Sequence, residues 1–339
     1  MTVRVGFIGT GFIATFHSKM LRAAGELVQR AGVFDLDRSR AEAFAARSGH
    51  QVCGSVDEVL DGCDAVYVCT WTSEHRPMVE RAAARGVAVF CEKPLSTSLD
   101  QAQAMAAAVD ASGVVNQVGL VLRHSPAWSM AREWVNEPAA GRLMAMVFRD
   151  DQFIPTQGHY GSDWRSDIAR AGAGALLEHS VHDLDIIEHV AGPVRTVSAQ
   201  TSFFHGLDGI EDVANVSIRF AGGAHGALVS VWHDNLLRPS QRHVEFISER
   251  RVVTISGDDY LGPVTCQDSG GAFIELSGDA LSVAAGPLLE HGPNADVAFV
   301  RAVAERRIAI PGFNAAVRAQ MIADACYRSA SRGGGPVPV

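Results

Sequence analysis

The segment Val3–Ile8, short and rich in β-branched residues, runs directly into Gly9-Thr10-Gly11-Phe12-Ile13-Ala14, and helical periodicity begins there. No other feature of the chain limits the fold so sharply. In a strand–turn–helix unit the first glycine makes a tight turn, and the second lets main-chain N–H groups approach a pyrophosphate at the helix N-terminus. The third position must be small for helix and strand to pack closely, and Ala14 meets that need. The next strand-like run ends at Asp35, 21 residues beyond Ala14, where a carboxylate accepts hydrogen bonds from an adenosine ribose. The run after it ends at Cys69-Thr70, on the carboxyl edge where such sheets bind ligands. Together these features predict a bound dinucleotide. Asp35 favours NAD over NADP, because a carboxylate repels a 2′-phosphate. Arg38 follows closely enough to offer a phosphate a partner, so NADP stays open as the alternative.

The first 122 residues keep this alternation. Brief Val-rich runs at 3–8, 32–35, 65–69, 87–91 and 114–120 read as strands of a parallel sheet buried on both faces. Helical patterns cover 14–24, 38–47, 75–85 and 100–111, with Asp37 placed to cap the second and Gly86 and Gly113 to end the last two. Residues 1–122 are therefore expected to form an NAD(P)-binding Rossmann domain, an α/β fold with a doubly wound parallel sheet. The texture changes at 123. A helix at 126–135, a strand at 143–148, a loop rich in Gly, Asp and Trp, and a helix over 174–190 come first. From 194 to 255 the sequence is mostly strands. Two of them, 213–220 and 226–232, flank the hairpin turn Ala221-Gly222-Gly223-Ala224, and 242–247 and 252–255 flank another turn. Helices at 295–306 and 313–331 follow, and the Gly/Pro-rich tail 333–339 reads as mobile. Residues 123–339 are thus expected to form an α+β domain with a mostly antiparallel open sheet.

Composition removes several function classes. A length of 339 residues asks for more than one core, and 47% hydrophobic with 20% charged residues is the balance of a globular chain. The net charge of −9, with no Lys/Arg run, repels phosphate backbones and argues against nucleic acid. No apolar stretch has bilayer length, and the first residues lack the serial regions of a signal peptide, so a cytoplasmic protein without a membrane partner is expected. Cys53, Cys63, Cys69, Cys91, Cys266 and Cys326 form no C-x-x-C pair. They read as small hydrophobic thiols in a reducing compartment.

At Cys91-Glu92-Lys93-Pro94, and at Thr70 with His75, the sequence resembles the Gfo/Idh/MocA oxidoreductases, the family of glucose–fructose oxidoreductase and inositol dehydrogenase. A second signature lies later: Trp164-Arg165, then Gly172-Ala173-Gly174-Ala175-Leu176, then Glu178 and His182, with Asp185 beyond. The segments 298–304 and 323–329 are similar to the family's closing helices, so the resemblance covers nearly the whole chain. It implies an NAD(P)-dependent enzyme that moves a hydride between nicotinamide and a secondary alcohol or ketone of a sugar, cyclitol or sugar derivative, without a catalytic metal. It assigns Gly9, Gly11, Phe12, Ile13, Ala14, Asp35, Arg38, Thr70, Trp71, His75, Glu92 and Lys93 to the cofactor. It also implies a homodimer or homotetramer, because an open sheet face of this kind packs against another subunit. Two positions depart from the pattern. The acid before the histidine is usually Asp and is Glu178 here, and the residue after Thr70 is usually Pro and is Trp71 here. Both bear on substrate identity more than on reaction class.

Oxidising a secondary alcohol requires a hydride acceptor, a group that takes the hydroxyl proton, and a positive group for the developing alkoxide. Lys93, just past a strand's carboxyl end, suits the last role. His182, with an imidazole's titration near neutrality, suits the proton. Glu178, one helical turn earlier on the same face, can orient that imidazole or hold a substrate hydroxyl. Taken singly, these are an ordinary loop lysine and an ordinary i,i+4 pair. Taken together with the resemblance, they read as catalytic. Arg123, His159, Tyr160, Trp164 and Arg165, beside Glu178 and His182, are the candidates for substrate contact. Glu178, His179, His182, Asp183 and Asp185 crowd one segment, but no distant Cys/His set completes a zinc site, and no metal is expected. Two other functions compete: an NAD-assisted glycosidase with no net redox change, and a nucleotide-sensing regulator without catalysis. Retention of both Lys93 and His182 argues against the regulator.

Overall fold

The strand-like runs of the first part of the chain become one sheet, and those of the later part another. In the computed structural model, which describes residues 1–158, 160–257 and 260–339, the chain begins β1 (Val3–Ile8), α1 (Phe12–Met20), β2 (Val28–Phe34), α2 (Arg38–Ser48). It continues β3 (Gln51–Val52), α3 (Val56–Asp61), β4 (Ala65–Val68), α4 (His75–Ala84), β5 (Ala88–Cys91), α5 (Leu99–Ser112) and β6 (Asn116–Val118). Next come α6 (Pro126–Asn136), β7 (Leu143–Phe153), α7 (Ile168–Ala171), α8 (Val181–Ala191), β8 (Val194–Ser202), β9 (Val213–Phe220) and β10 (His225–His233). The remainder is β11 (Gln241–Ser248), β12 (Arg251–Ser256), β13 (Val264–Asp268), β14 (Phe273–Leu276), α9 (Gly278–Ala285), α10 (Ala295–Glu305), α11 (Phe313–Ala330) and β15 (Val337–Pro338).

These elements divide into two units. The first holds Met1–Leu120 and Asn294–Val317, the second Val121–Pro293 and Arg318–Val339. A split into two contiguous segments at 122/123 does not contain the return of 294–317 to the first unit. The return has a core to join: Phe299, Val300 and Val303 of α10 are buried with Phe7, Tyr67 and Phe90.

In the first unit six parallel strands lie in the order β3-β2-β1-β4-β5-β6, the doubly wound arrangement. Phe7, Tyr67 and Phe90 are register partners on adjacent strands, and their rings stack at 4.8 and 4.7 Å. This ladder forms one face of the sheet, and Phe299 meets it edge-on at 5.6 Å. Helix caps fall where the sequence places them: the Asp37 side chain accepts from the Arg40 N–H, and α5 ends in a left-handed Gly113. The helix expected over 14–24 is shorter. It ends at Met20 and passes into a tight turn containing Gly25 at φ 56°. The short β3 and α3 escape the periodicity argument because a few residues carry too little pattern.

The second unit has a nine-stranded sheet, β14-β13-β12-β11-β7-β10-β9-β8-β15, antiparallel throughout except at β7–β10. One face is core. Phe148, Val216, Leu228 and Phe246 are buried with Trp128, Leu184, Ile187 and Ile322 from α6, α8 and α11. The opposite face alternates as an uncovered sheet does, with Asn215, Ser217 and Arg219 exposed along β9 and Val147 nearly half exposed on β7. The tail is not mobile. Val337 is buried and pairs with Val197, and the Ser329 hydroxyl donates to Gly335 O at 2.6 Å, so two ladder positions and one hydroxyl outweigh the local Gly/Pro composition.

Candidate functional site

The β1–β4 neighbours bring two loops to one sheet edge. Gly9 has φ 84°, and a Cβ there would stand 2.5 Å from the Cys69 carbonyl oxygen, so the turn after β1 admits only glycine against the loop after β4. Gly11 is different: a Cβ would meet no described atom within 4 Å. Gly11 is also the N-cap of α1, and no side chain among the described residues caps that helix. The open space beside Gly11, at the N-terminus of α1, is the room a pyrophosphate needs to approach a helix's first N–H groups. Ala14 is fully buried beneath them, Ile13 is half-buried and Phe12 is exposed.

Asp35 takes part in the same loop. Its Oδ2 accepts from the Thr10 N–H at 2.8 Å and the Thr10 hydroxyl at 3.0 Å, and its Oδ1 accepts from the Asp37 N–H at 2.9 Å. A carboxylate offers about four acceptor positions. Asp35 thus braces the glycine loop and keeps capacity for a ribose hydroxyl. Arg38 lies along α2 and donates to Glu42 at 2.9 Å, fully on the surface.

Thr70, Trp71, His75, Glu92 and Lys93 gather at the ends of β4 and β5. Thr70 and Trp71 are half-buried and open the segment before α4. His75 is buried, with Nδ1 donating to the Pro94 and Leu95 carbonyls at 3.0 and 3.2 Å and Nε2 lying 3.3 Å from the Thr70 carbonyl. It belongs behind the surface, tying the two loops together. Glu92 is buried as well. Its Oε2 accepts from the Lys93 N–H at 3.3 Å, and its Oε1 receives a hydrogen bond from His17 Nε2 at 2.8 Å. His17 Nδ1 donates to Asp296 at 2.7 Å. Burial alone would drive the proton from His17, but the two carboxylates outweigh it and lift its pKa to about 10. Burial likewise pushes Glu92 up, and the His17 bond, with the charges of His17 and Lys93, brings it below the usual range.

In the second unit the helix expected over 174–190 is broken. A π turn spans Ala175–His179, Ser180 interrupts, and α8 starts at Val181. Glu211 caps the start of this turn: its carboxylate accepts from the Gly174 and Leu176 N–H groups at 2.7 and 2.9 Å, and its carbonyl accepts from the Ala175 N–H at 2.8 Å. Glu178 and His182 are therefore not one turn apart on a regular helix. Wide π turns of this kind recur at functional positions.

Each acid of that segment meets a guanidinium or imidazole. Glu178, only 3% exposed, accepts from Arg165 Nε at 2.6 Å, and Arg165 also donates to Ser162 at 2.8 Å and lies 4.4 Å above the Trp164 ring. Asp185 accepts two hydrogen bonds from Arg123, at 2.8 and 2.6 Å. Arg242 bridges Asp150 at 3.2 Å and Asp183 at 3.1 Å, and His179 pairs with Asp150 at 2.7 Å. Burial and the neighbouring Asp150 raise Asp183 to about 8. His182 is half-buried, and the half-buried Tyr160 ring packs on Phe153 at 5.5 Å. His159 lies outside the described residues. Among the described residues no three His, Cys, Asp or Glu side chains are grouped to hold a metal.

Sequence reasoning missed His17, Asp296 and Glu211, which act on the site segments from distant parts of the chain. One local signal was available for Lys93. Of 29 basic residues only Lys19 and Lys93 are lysines, so a chain that otherwise uses arginine keeps a lysine in this motif.

A six-stranded doubly wound sheet with an uncapped glycine-loop helix defines a dinucleotide-binding protein of the Rossmann class. Residues 3–120 match a family model described as an oxidoreductase family with an NAD-binding Rossmann fold, and residues 128–259 match the GFO/IDH/MocA C-terminal domain. The chain is 32% identical to inositol 2-dehydrogenase of Cereibacter sphaeroides over 60% of its own length and 58% of that protein's. It is 30% identical to 1,5-anhydro-D-fructose reductase of Ensifer adhaerens over 68% of each chain. A levoglucosan dehydrogenase solved with NADH and levoglucosan has the same fold, with TM-score 0.90 at 22% identity and full coverage of both chains. The chain belongs to the Gfo/Idh/MocA oxidoreductase family, and its first unit is an NAD-binding Rossmann domain. It spans 58% of the length of the inositol 2-dehydrogenases it matches.

Proposed function

We propose that this protein is an NAD-dependent dehydrogenase or reductase acting on a CH–OH group of a sugar, cyclitol or sugar derivative. The observation that carries the reading is the single lysine of the site. Lys93 follows β5 on the sheet edge that also holds Gly9 and Gly11, two strands away, or about 10 Å by strand spacing. NAD, when bound, supplies the hydride acceptor for oxidation and the donor for reduction.

The chain's own residues supply the rest. We assign to Lys93 the hydrogen bond and positive charge at the reacting oxygen. His182 takes the hydroxyl proton in oxidation and returns it in reduction. Glu178, held by Arg165, presents a fixed carboxylate to His182 or to a substrate hydroxyl. Tyr160, Trp164 and Arg165 are the remaining substrate contacts, with His159; Arg123 supports them through Asp185. Gly11 and the first turn of α1 hold the pyrophosphate, and Asp35 meets the ribose and disfavours a 2′-phosphate. The names of the relatives support a polyol or anhydrosugar substrate.

The face of the second sheet bearing Val147, Val229, Val231 and Ile247 supports a homodimer or homotetramer, measurable by light scattering. Six free thiols, five of them buried, and described helices none of which is long and apolar enough to cross a membrane support a cytoplasmic setting. The deciding experiment offers scyllo-inositol, levoglucosan, 1,5-anhydro-D-fructose and p-nitrophenyl glycosides to the purified protein with NAD(H) or NADP(H). Interconversion of oxidised and reduced nicotinamide, faster with NAD(H), is expected. Release of an aglycone without net redox change would replace this reading by the glycosidase, and cofactor binding without turnover of any polyol by the regulator.

A further inference from the structure

His17 is 1% exposed, and both of its ring nitrogens face carboxylates. Its ring stands 5.3 Å from Tyr67 and 4.9 Å from Phe90, on the aromatic ladder of the sheet. A buried imidazolium between two acids is costly to assemble unless each hydrogen bond is well aimed. Here the aim is built from three segments. Asp296 lies in the first turn of α10, where the Asn294 side chain accepts from the Asp296 and Val297 N–H groups at 3.0 and 3.1 Å. The Asn294 amide in turn donates to the Met20 carbonyl at the end of α1, the helix that carries His17. Gln117, in β6, donates to the Ala295 carbonyl at 3.0 Å.

The far end of this chain of contacts is Glu92. One oxygen receives the His17 bond and the other receives the Lys93 N–H. Gly119 leaves the room: a Cβ there would stand 2.6 Å from Glu92 Oε1. Rotating Glu92 away would leave His17 with an empty donor in an apolar surround, so the carboxylate has one favourable place. Formal charges fit the arrangement, with Glu92 and Asp296 balanced by His17 and Lys93.

We propose that His17, held by Asp296, is a positioning residue for Lys93: it fixes the Glu92 carboxylate that carries the Lys93 main chain. Through this contact α10, from the far end of the sequence, determines where the Lys93 amine stands. The inference rests on the reading of Lys93 given above. It goes beyond that reading by naming what holds the lysine in place.

The two-lysine composition makes the test direct. Protein labelled with 13C-lysine gives two side-chain resonances, from Lys19 and Lys93, assigned with Lys93→Met. In His17→Gln the Lys93 resonance should move by more than its linewidth while Lys19 stays in place. Gly119→Ala, which displaces Glu92 and leaves every charge intact, should move the same resonance, and it serves if His17→Gln does not fold. Turnover should fall about tenfold to a hundredfold in either variant, the scale of misplacing a reacting group by an ångström, with little change in KM for the cofactor. In a Lys93→Met background His17→Gln should cost almost nothing more, because the two residues act as one. An unmoved Lys93 resonance, or losses that simply add, would overturn the proposal and make His17 a packing residue. Normal turnover of Lys93→Met alone would instead overturn the reading of Lys93, and the resonance would still decide whether His17 positions it.

Discussion

Two regions near the family's motifs handle buried acids in opposite ways. In the first unit Glu92 and Asp296 share one imidazolium, His17, gathered from three distant segments. In the second unit Glu178 has Arg165, Asp185 has Arg123, and Asp150 and Asp183 have Arg242. A guanidinium stays charged at any pH a protein survives and can grip a carboxylate with two parallel bonds. An imidazolium can lose its proton. The support of Glu178, Asp183 and Asp185 is therefore independent of the cation's titration, while that of Glu92 and Asp296 has an alkaline limit.

The largest effect should come from breaking a guanidinium pair. Arg123→Met leaves Asp185 buried without its partner, a loss of about 3–5 kcal/mol for a pair of this kind. Burial already raises Asp185, against the pull of Arg123, so the variant can escape by protonating the acid. Its deficit in thermal midpoint should accordingly shrink toward acid pH. A deficit independent of pH would mean that Arg123 acts by packing. Next comes chemistry in the same unit. His182→Asn should slow turnover about a hundredfold if the imidazole carries the proton, and should flatten the rise in oxidation rate from acid to neutral pH. Unchanged turnover would leave Glu178 as the candidate for that role.

The first unit should behave in the opposite sense. The folded pKa of His17, about 10, lies above its unfolded value of 6.5. Its stabilising contribution is complete below the unfolded value and is lost as pH rises through the folded one. Asp183, raised to about 8, also loses stability with rising pH, but over a window that starts at the ordinary carboxyl value and closes near 8. Between pH 8 and 10 the wild-type midpoint should thus fall more steeply than that of His17→Gln. Parallel curves would show that His17 is not the charged centre of its cluster. Smallest is the cofactor effect: Asp35→Ser should narrow the preference for NAD(H) over NADP(H) by less than about tenfold, about 1.4 kcal/mol, in a titration with both. Tighter binding of NADP(H) to the wild type would give the deciding role to Arg38.

Legibility in the sequence followed the same divide. Strand–glycine–helix order, Asp35 and the Glu92-Lys93-Pro94 motif are local patterns, and a doubly wound sheet follows from them because parallel strands buried on both faces leave Val-rich runs. The hairpin at Ala221–Ala224 was equally local, and β9 and β10 pair across it. His17, Asp296 and Glu211 had no such signature. A histidine in the apolar face of α1 reads as core until α10 brings an acid to it, and Glu211, from after β8, caps the turn at 175–179 with no local signal in the sequence. The tail failed for the same reason: its order comes from β8. Long-range partners, not propensities, decide these places.

The proposed hydride transfer requires Lys93 to touch the reacting oxygen. The direct measurement is turnover of Lys93→Met beside its affinity for NADH, which Gly9–Ala14 should hold independently of the lysine. Turnover lower by about a hundredfold or more, the scale of one preorganised charged donor, with NADH affinity nearly unchanged, is the predicted result. Near-normal turnover in that variant would contradict it.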